Sequence, residues 1–252
     1  HMRHPDVIFL SEAFTRPKMM YRLAKIGFTQ SYTYFTWRND KHEIAAYLEE
    51  LAGEPVADFF RANFFVNTPD INPYYLQCGA RSAFLARAAL AALGAGSWGL
   101  YSGFELCEWQ PVPGKEEYLD SEKYELRQRD WDAPGNIKAE IAQLNAIRQA
   151  NPALWSQRGY RTVPNGNPHV LSFMKACADG GSTLLAAINL DPYNVQHTGL
   201  EVPFDAPVRS GRTTVQAEDL LDGGAAVWHD GRVDVALHPG RPYRVWRLTA
   251  PD

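Results

Sequence analysis

Along the first 155 or so residues, short apolar runs alternate with stretches whose apolar positions recur at helical spacing. Val7-Ile8-Phe9-Leu10 has the uninterrupted pattern of a parallel strand covered on both faces. Met19 to Ile26 reads as a helix closed by Gly27. Ser31 to Trp37 is rich in β-branched and aromatic residues and predicts a second strand. After Asn39-Asp40, a helix-capping pair, Lys41 to Ala52 places Ile44, Tyr47, Leu48 and Leu51 on one face. Phe64-Phe65-Val66 predicts a third strand, Ala80 to Leu93 an alanine-rich helix, and Trp98 to Tyr101 a fourth strand. The helix belonging to that last strand, Ile137 to Arg148, is delayed by an insertion over residues 102–134. Strand alternating with helix means a parallel sheet with helices outside it. A closed eight-unit barrel takes ~250 residues, so this region amounts to half of one.

From Trp155 onward the pattern changes. Segments 159–164, 169–177, 183–190, 197–202, 213–219, 225–229, 232–237 and 243–248 read as strands. They are separated by turn signals such as Asn165-Gly166, Gly180-Gly181, Asp222-Gly223-Gly224 and Asp230-Gly231, which predicts an antiparallel β-sandwich. Asp230-Gly231 is the clearest hairpin turn. The fold class is thus α/β plus all-β, with a boundary near Leu154–Arg158: a partial barrel over residues 1–156 and a sandwich over 157–252. No low-complexity linker separates them, so they are expected to pack directly together.

Composition narrows the partners. The 252 residues are 45% hydrophobic and 21% charged with a net charge of −4, which disfavours nucleic-acid and anionic-membrane binding, since both call for a basic face. The longest apolar run, Ala83 to Gly96, is interrupted by Arg87 and is too short to span a bilayer. His1-Met2 reads as a vector-derived scar, and no apolar leader follows it. Cys78, Cys107 and Cys177 are odd in number and far apart, so a reduced, cytoplasmic protein is expected.

In a barrel of this class the chemistry sits at the carboxyl ends of the strands. Glu12 follows the first strand and Asp70 the third, which aims both at one mouth. Paired carboxylates there suit glycosyl chemistry, one acid protonating the leaving oxygen and another stabilising oxocarbenium-like charge. Read alone, the pattern favours two helix-capping or loop carboxylates. Tyr32, Tyr34 and Trp37 read first as core aromatics; Trp37, nearest the carboxyl end, is the candidate to stack on a sugar ring. His42, His169, His197, His229 and His238 show no metal-ligand spacing and read as surface or loop residues. Cys78 and Cys107 have no neighbouring base and read as small buried apolar residues. Gly94-Ala95-Gly96 lies between helix and strand, the wrong order for a phosphate-cradling loop, so neither cofactor nor metal is expected. The charged stretch Glu122 to Asp130 reads by itself as a solvated face.

Four segments add a resemblance. Phe9-Leu10-Ser11-Glu12-Ala13-Phe14-Thr15-Arg16-Pro17-Lys18-Met19, Phe64-Phe65-Val66-Asn67-Thr68-Pro69-Asp70-Ile71, Trp98 to Leu106 and Glu117 to Tyr124 resemble the α-amylase superfamily, and within it the α-1,4-glucan:maltose-1-phosphate maltosyltransferases. The tail resembles that family's C-terminal sandwich, most typically at Ala187-Ile188-Asn189-Leu190-Asp191-Pro192. The resemblance implies the last four βα units of a (β/α)8 barrel, with Glu12 as general acid/base and Asp70 as transition-state stabiliser. It implies that Lys123 and Tyr124 contact the donor maltosyl unit. The substrates would be maltose 1-phosphate and an α-1,4-glucan. Asn67-Thr68-Pro69-Asp70 departs from the superfamily's Asn-His-Asp pattern in the way this subfamily does.

The family's nucleophile is an aspartate at the end of the preceding strand, and the one aspartate before Glu12, Asp6, begins a strand instead. The chain alone is therefore expected to be inactive. Alternatives are a non-catalytic glucan-binding or assembly module, or part of a related hydrolase or trehalose-forming isomerase. A half-barrel also leaves two open edges and strips Phe9, Phe35, Phe65 and Leu100 of opposite neighbours, so a homodimer or other self-association is expected.

Overall fold

The computed structural model describes residues 3–121, 126–203 and 214–250. Strands β1 (Leu10–Ser11), β2 (Gln30–Tyr32), β3 (Ala62–Phe65) and β4 (Ser97–Gly99) form a parallel sheet in that order. Helices α1 (Pro17–Lys25), α2 (Lys41–Ala52), α3 (Val56–Phe59), α4 (Arg81–Gly94) and α5 (Lys138–Ala150) occupy the connections and the stretch after β4. Asp40 caps α2, its Oδ1 accepting from the His42 and Glu43 N–H groups at 2.8 and 3.0 Å, and the predicted face of Ile44, Tyr47, Leu48 and Leu51 is buried.

Helix α4 is apolar but for Arg81, Ser82 and Arg87, and every residue from Ser82 to Gly94 is buried. A helix with no polar face needs cover on every side. Here β3 and β4 lie against it on one side, and β7 (Thr183–Asn189) and β12 (Tyr243–Thr249) on another. One core therefore runs from Phe64 and Leu90 to Phe173, Ile188 and Val245, so the parallel sheet and the sandwich share buried surface.

The sandwich pairs a six-stranded antiparallel sheet, β10-β9-β12-β7-β6-β5, with a two-stranded one, β11-β8. The remaining strands are β5 (Tyr160–Thr162), β6 (Val170–Ala176), β8 (Gln196–Glu201), β9 (Thr214–Asp219), β10 (Ala225–His229) and β11 (Arg232–Leu237). Strand β7 is buried at every position: Leu184, Ala186 and Ile188 enter the α4 core, and Leu185 and Ala187 a second core with Leu200, Val235 and Trp246. Alternation at period 2 serves both layers at once.

The structure corrects several expectations. The first strand is only Leu10–Ser11, and Val7, Ile8, Phe9 and Leu10 are exposed instead of covered on both faces. Among the described residues β1 pairs with β2 alone, and Phe9 meets Phe28 with ring centroids 6.0 Å apart. The second strand stops at Tyr32, and Tyr34–Trp37 is a 3-10 turn. Thr33 causes the change, its hydroxyl accepting from the Phe35 N–H at 3.4 Å. Phe35 is therefore not an open inward face: it is buried, with its ring 4.2 Å from that of Phe64 in a parallel stack. Asp230 and Gly231 both have positive φ, as a tight primed turn requires, yet they do not close a hairpin. Strand β10 pairs with β9 and β11 with β8, so the turn carries the chain from one sheet to the other. Cys78 is exposed, not buried, while Cys107 is half-buried and burial pushes its thiol up to about 11.

Candidate active site

Parallel strands all end on one side, so the residues just past β1 to β4 meet along one edge whatever their separation in the chain. Glu12 follows β1 directly and is exposed. Continuing the register of Leu10 with Gln30 and Ser11 with Ser31 sets Glu12 level with Tyr32 on β2. Burial, and after it the charge of Glu12, raise the Tyr32 pKa above its ordinary value. The strand end itself is fixed by the buried Ser11, whose Oγ lies 2.9 Å from Ser31 Oγ.

Asp70 sits on the turn Thr68-Pro69-Asp70-Ile71 after β3. Reciprocal backbone hydrogen bonds between Thr68 and Ile71, 3.1 and 3.2 Å, close that turn, and the Asp70 N–H donates to Thr68 Oγ1 at 3.2 Å. Strand β2 separates β1 from β3, so Glu12 and Asp70 emerge from strands about 10 Å apart. Neither carboxylate caps a helix: the cap positions of α1 and α4 are Arg16 and Ala80. Both stand exposed on connecting loops at the carboxyl edge.

Trp37 ends the 3-10 turn after β2 and is half-buried. Its Nε1 donates to Glu116 Oε2 at 3.1 Å, and Phe14, two residues past Glu12, meets it edge-on with ring centroids 5.1 Å apart at 81°. Lys123 and Tyr124 lie outside the described residues; just before them, Ser121 Oγ donates to the Pro69 carbonyl at 3.3 Å. Farther along, Glu108 holds Arg129 at 2.9 Å and Arg127 at 3.6 Å. The Arg129 side chain is only 4% exposed, so that part of the charged stretch is not a solvated face.

Sequence reasoning missed the residues that lace the 102–134 insertion onto the β3 loop. Asn67, buried at the end of β3, donates through Nδ2 to the Tyr118 hydroxyl (2.7 Å), and its Oδ1 accepts the Tyr101 N–H (2.8 Å). Asn72 Nδ2 donates to the Trp109 carbonyl at 2.9 Å, and Gln77 Nε2 to the Lys115 carbonyl at 3.0 Å. The signal for Asn67 was its place directly after an apolar strand; the insertion, lacking periodicity, gave none for its partners. The β4 end is shaped by Gly99, where an added Cβ would come within 2.6 Å of the Phe65 ring.

This half-sheet and sandwich have the fold of the α-amylases. The Geobacillus thermoleovorans α-amylase solved with acarbose superposes with a TM-score of 0.73 at 15% identity, over 98% of this chain and 54% of that one. An Anoxybacillus α-amylase does so with a TM-score of 0.66 at 16% identity, over 98% and 53%. Sequence carries the assignment further. Proteins named α-1,4-glucan:maltose-1-phosphate maltosyltransferase from Pseudomonas aeruginosa, Burkholderia pseudomallei and Myxococcus xanthus are 54%, 53% and 50% identical over 99%, 98% and 97% of this chain. The family profile described as "GLGE, C-terminal" matches residues 163–248. The chain is thus similar over nearly its whole length to proteins of that name, and it spans 38%, 22% and 37% of the length of those three relatives.

Proposed function

We propose that this polypeptide forms the acid/base side of a retaining maltosyltransfer site, which moves maltosyl units from maltose 1-phosphate to an α-1,4-glucan. Glu12 protonates the departing phosphate oxygen and then takes the proton of the acceptor hydroxyl. Asp70 binds sugar hydroxyls and stabilises positive charge on the ring as it flattens. Trp37 offers an aromatic face to a pyranose, and Lys123 and Tyr124 contact the donor maltosyl unit. Retention needs a second carboxylate ~5–5.5 Å from the acid/base to serve as nucleophile. Glu12 and Asp70 emerge from strands separated by β2, so Asp70 does not fill that role. The nucleophile comes from outside these 252 residues, and the chain alone binds glucan without turning it over. The partial barrel ends near residue 156 and the sandwich begins there.

The observation that carries this reading is the exposure of both carboxylates on the carboxyl edge of one parallel sheet. Titration of the chain with maltoheptaose by calorimetry tests it. Asp70→Asn is expected to weaken binding roughly tenfold, as loss of a hydrogen bond to a charged acceptor does. Glu12→Gln, which keeps the side chain's shape, is expected to leave affinity within about threefold, because its proton transfers occur only in the reaction. Affinity that ignores Asp70→Asn would place any sugar site away from this edge.

A further inference from the structure

One carboxylate in the insertion after β4 touches two of the loops that bear the site. We propose that Glu116 is the positioning residue that sets Trp37 and the Asp70-bearing loop for sugar binding, an inference resting on the function proposed above. Glu116 Oε2 accepts from Trp37 Nε1 at 3.1 Å, and Oε1 accepts from the Tyr74 N–H at 3.2 Å. Its backbone carbonyl accepts from the Asn72 N–H at 2.8 Å. Three acceptors of one residue thus join the loop after β2 to the loop after β3.

The chemistry explains why a carboxylate stands here. An indole has a single N–H and no acceptor, so one partner fixes how its ring is turned about the Cβ–Cγ bond. An ionised carboxylate makes roughly twice as strong a bond as a neutral oxygen and has a second oxygen for the next loop. Glu116 is half-buried, which spares these bonds full competition from water. Both donors it serves are uncharged, so its geometry directs loops instead of neutralising a cation. Phe14 meets the same indole from the loop that carries Glu12, so the ring is held from two directions. A platform fixed before the sugar arrives loses less side-chain freedom on binding.

A double-mutant cycle on the full chain tests this. Maltoheptaose affinity is measured for the wild type, Glu116→Ala, Trp37→Phe and the double variant, with the Trp37 indole N–H signal followed in 15N-labelled protein. Glu116→Ala is expected to move that signal and to weaken binding roughly tenfold. The double variant should lose less than the sum of the two single losses, because part of the effect of Glu116 passes through the indole it holds. Glu116→Gln should fall between, since its single oxygen serves only one of the two N–H donors. A role confined to stability would lower the melting temperature and leave the affinity and the indole signal unchanged, which overturns the proposal, as would losses that add in the double variant. A wild-type chain that binds no maltoheptaose contradicts the proposed function instead. The indole signal then judges Glu116 by itself, and a resonance unmoved in Glu116→Ala overturns its positioning role.

Discussion

Lys175 shows how far a single residue can depart from its solution chemistry. It is buried in β6, and its Nζ donates to the carbonyls of Ser156 and Arg158, each at 2.8 Å, at the join between barrel and sandwich. Burial first, then the charge of Arg148, lowers its pKa to about 7. The unfolded lysine keeps a pKa near 10.4 and so binds more protons than the folded one between about pH 7 and 10. Stability therefore rises with pH across that window, and the cost of the buried cation is fully present below it. Urea midpoints from pH 6 to 10 should climb more steeply for the wild type than for Lys175→Met; equal slopes would contradict the burial of a charge here. At this scale the sequence was a good guide where backbone position decides the matter. Glu12 and Asp70 follow strands, and a strand's end was readable from its apolar run. It was a poor guide where a partner decides, as for Asn67 and Glu116, whose partners lie 51 and 79 residues away along the chain.

Among the elements, α2 was legible almost to the residue because cap and periodicity agree. Composition alone misled over Ser31 to Trp37, since aromatic and β-branched residues suit a 3-10 turn against a core as well as a strand. The Asp230-Gly231 turn was legible in its local geometry but not in its pairing, which depends on where the next strands find partners. The first strand is the element with a consequence. Val7, Ile8, Phe9 and Leu10 are exposed at an edge that is unpaired among the described residues, and Met19 on α1 and Ile26 at its end are exposed as well. Such an edge recruits another chain. Sedimentation of the 252-residue chain should show concentration-dependent self-association that Ile8→Lys reduces. A chain that stays monomeric at high concentration would show that this edge is not adhesive.

For the whole molecule, the sequence disclosed two grammars, βα units and then turn-punctuated strands, and the structure joins them through one core around α4. The apolar run of α4 announced a buried helix without saying that two different sheets bury it. Resemblance in four motifs pointed to the maltosyltransferases, and proteins of that name are similar to nearly the whole chain. Half a barrel mouth with the proposed acid/base at its rim would form one side of a catalytic centre. The most direct test mixes the chain with the part of the Pseudomonas aeruginosa relative that it does not match, and follows phosphate release from maltose 1-phosphate in the presence of glycogen. No release is expected from the chain alone, and release is expected from the mixture but not when the chain carries Glu12→Gln. Turnover by the chain alone, or undiminished turnover with Glu12→Gln, would contradict the assignment of Glu12 as an acid/base whose nucleophile lies elsewhere.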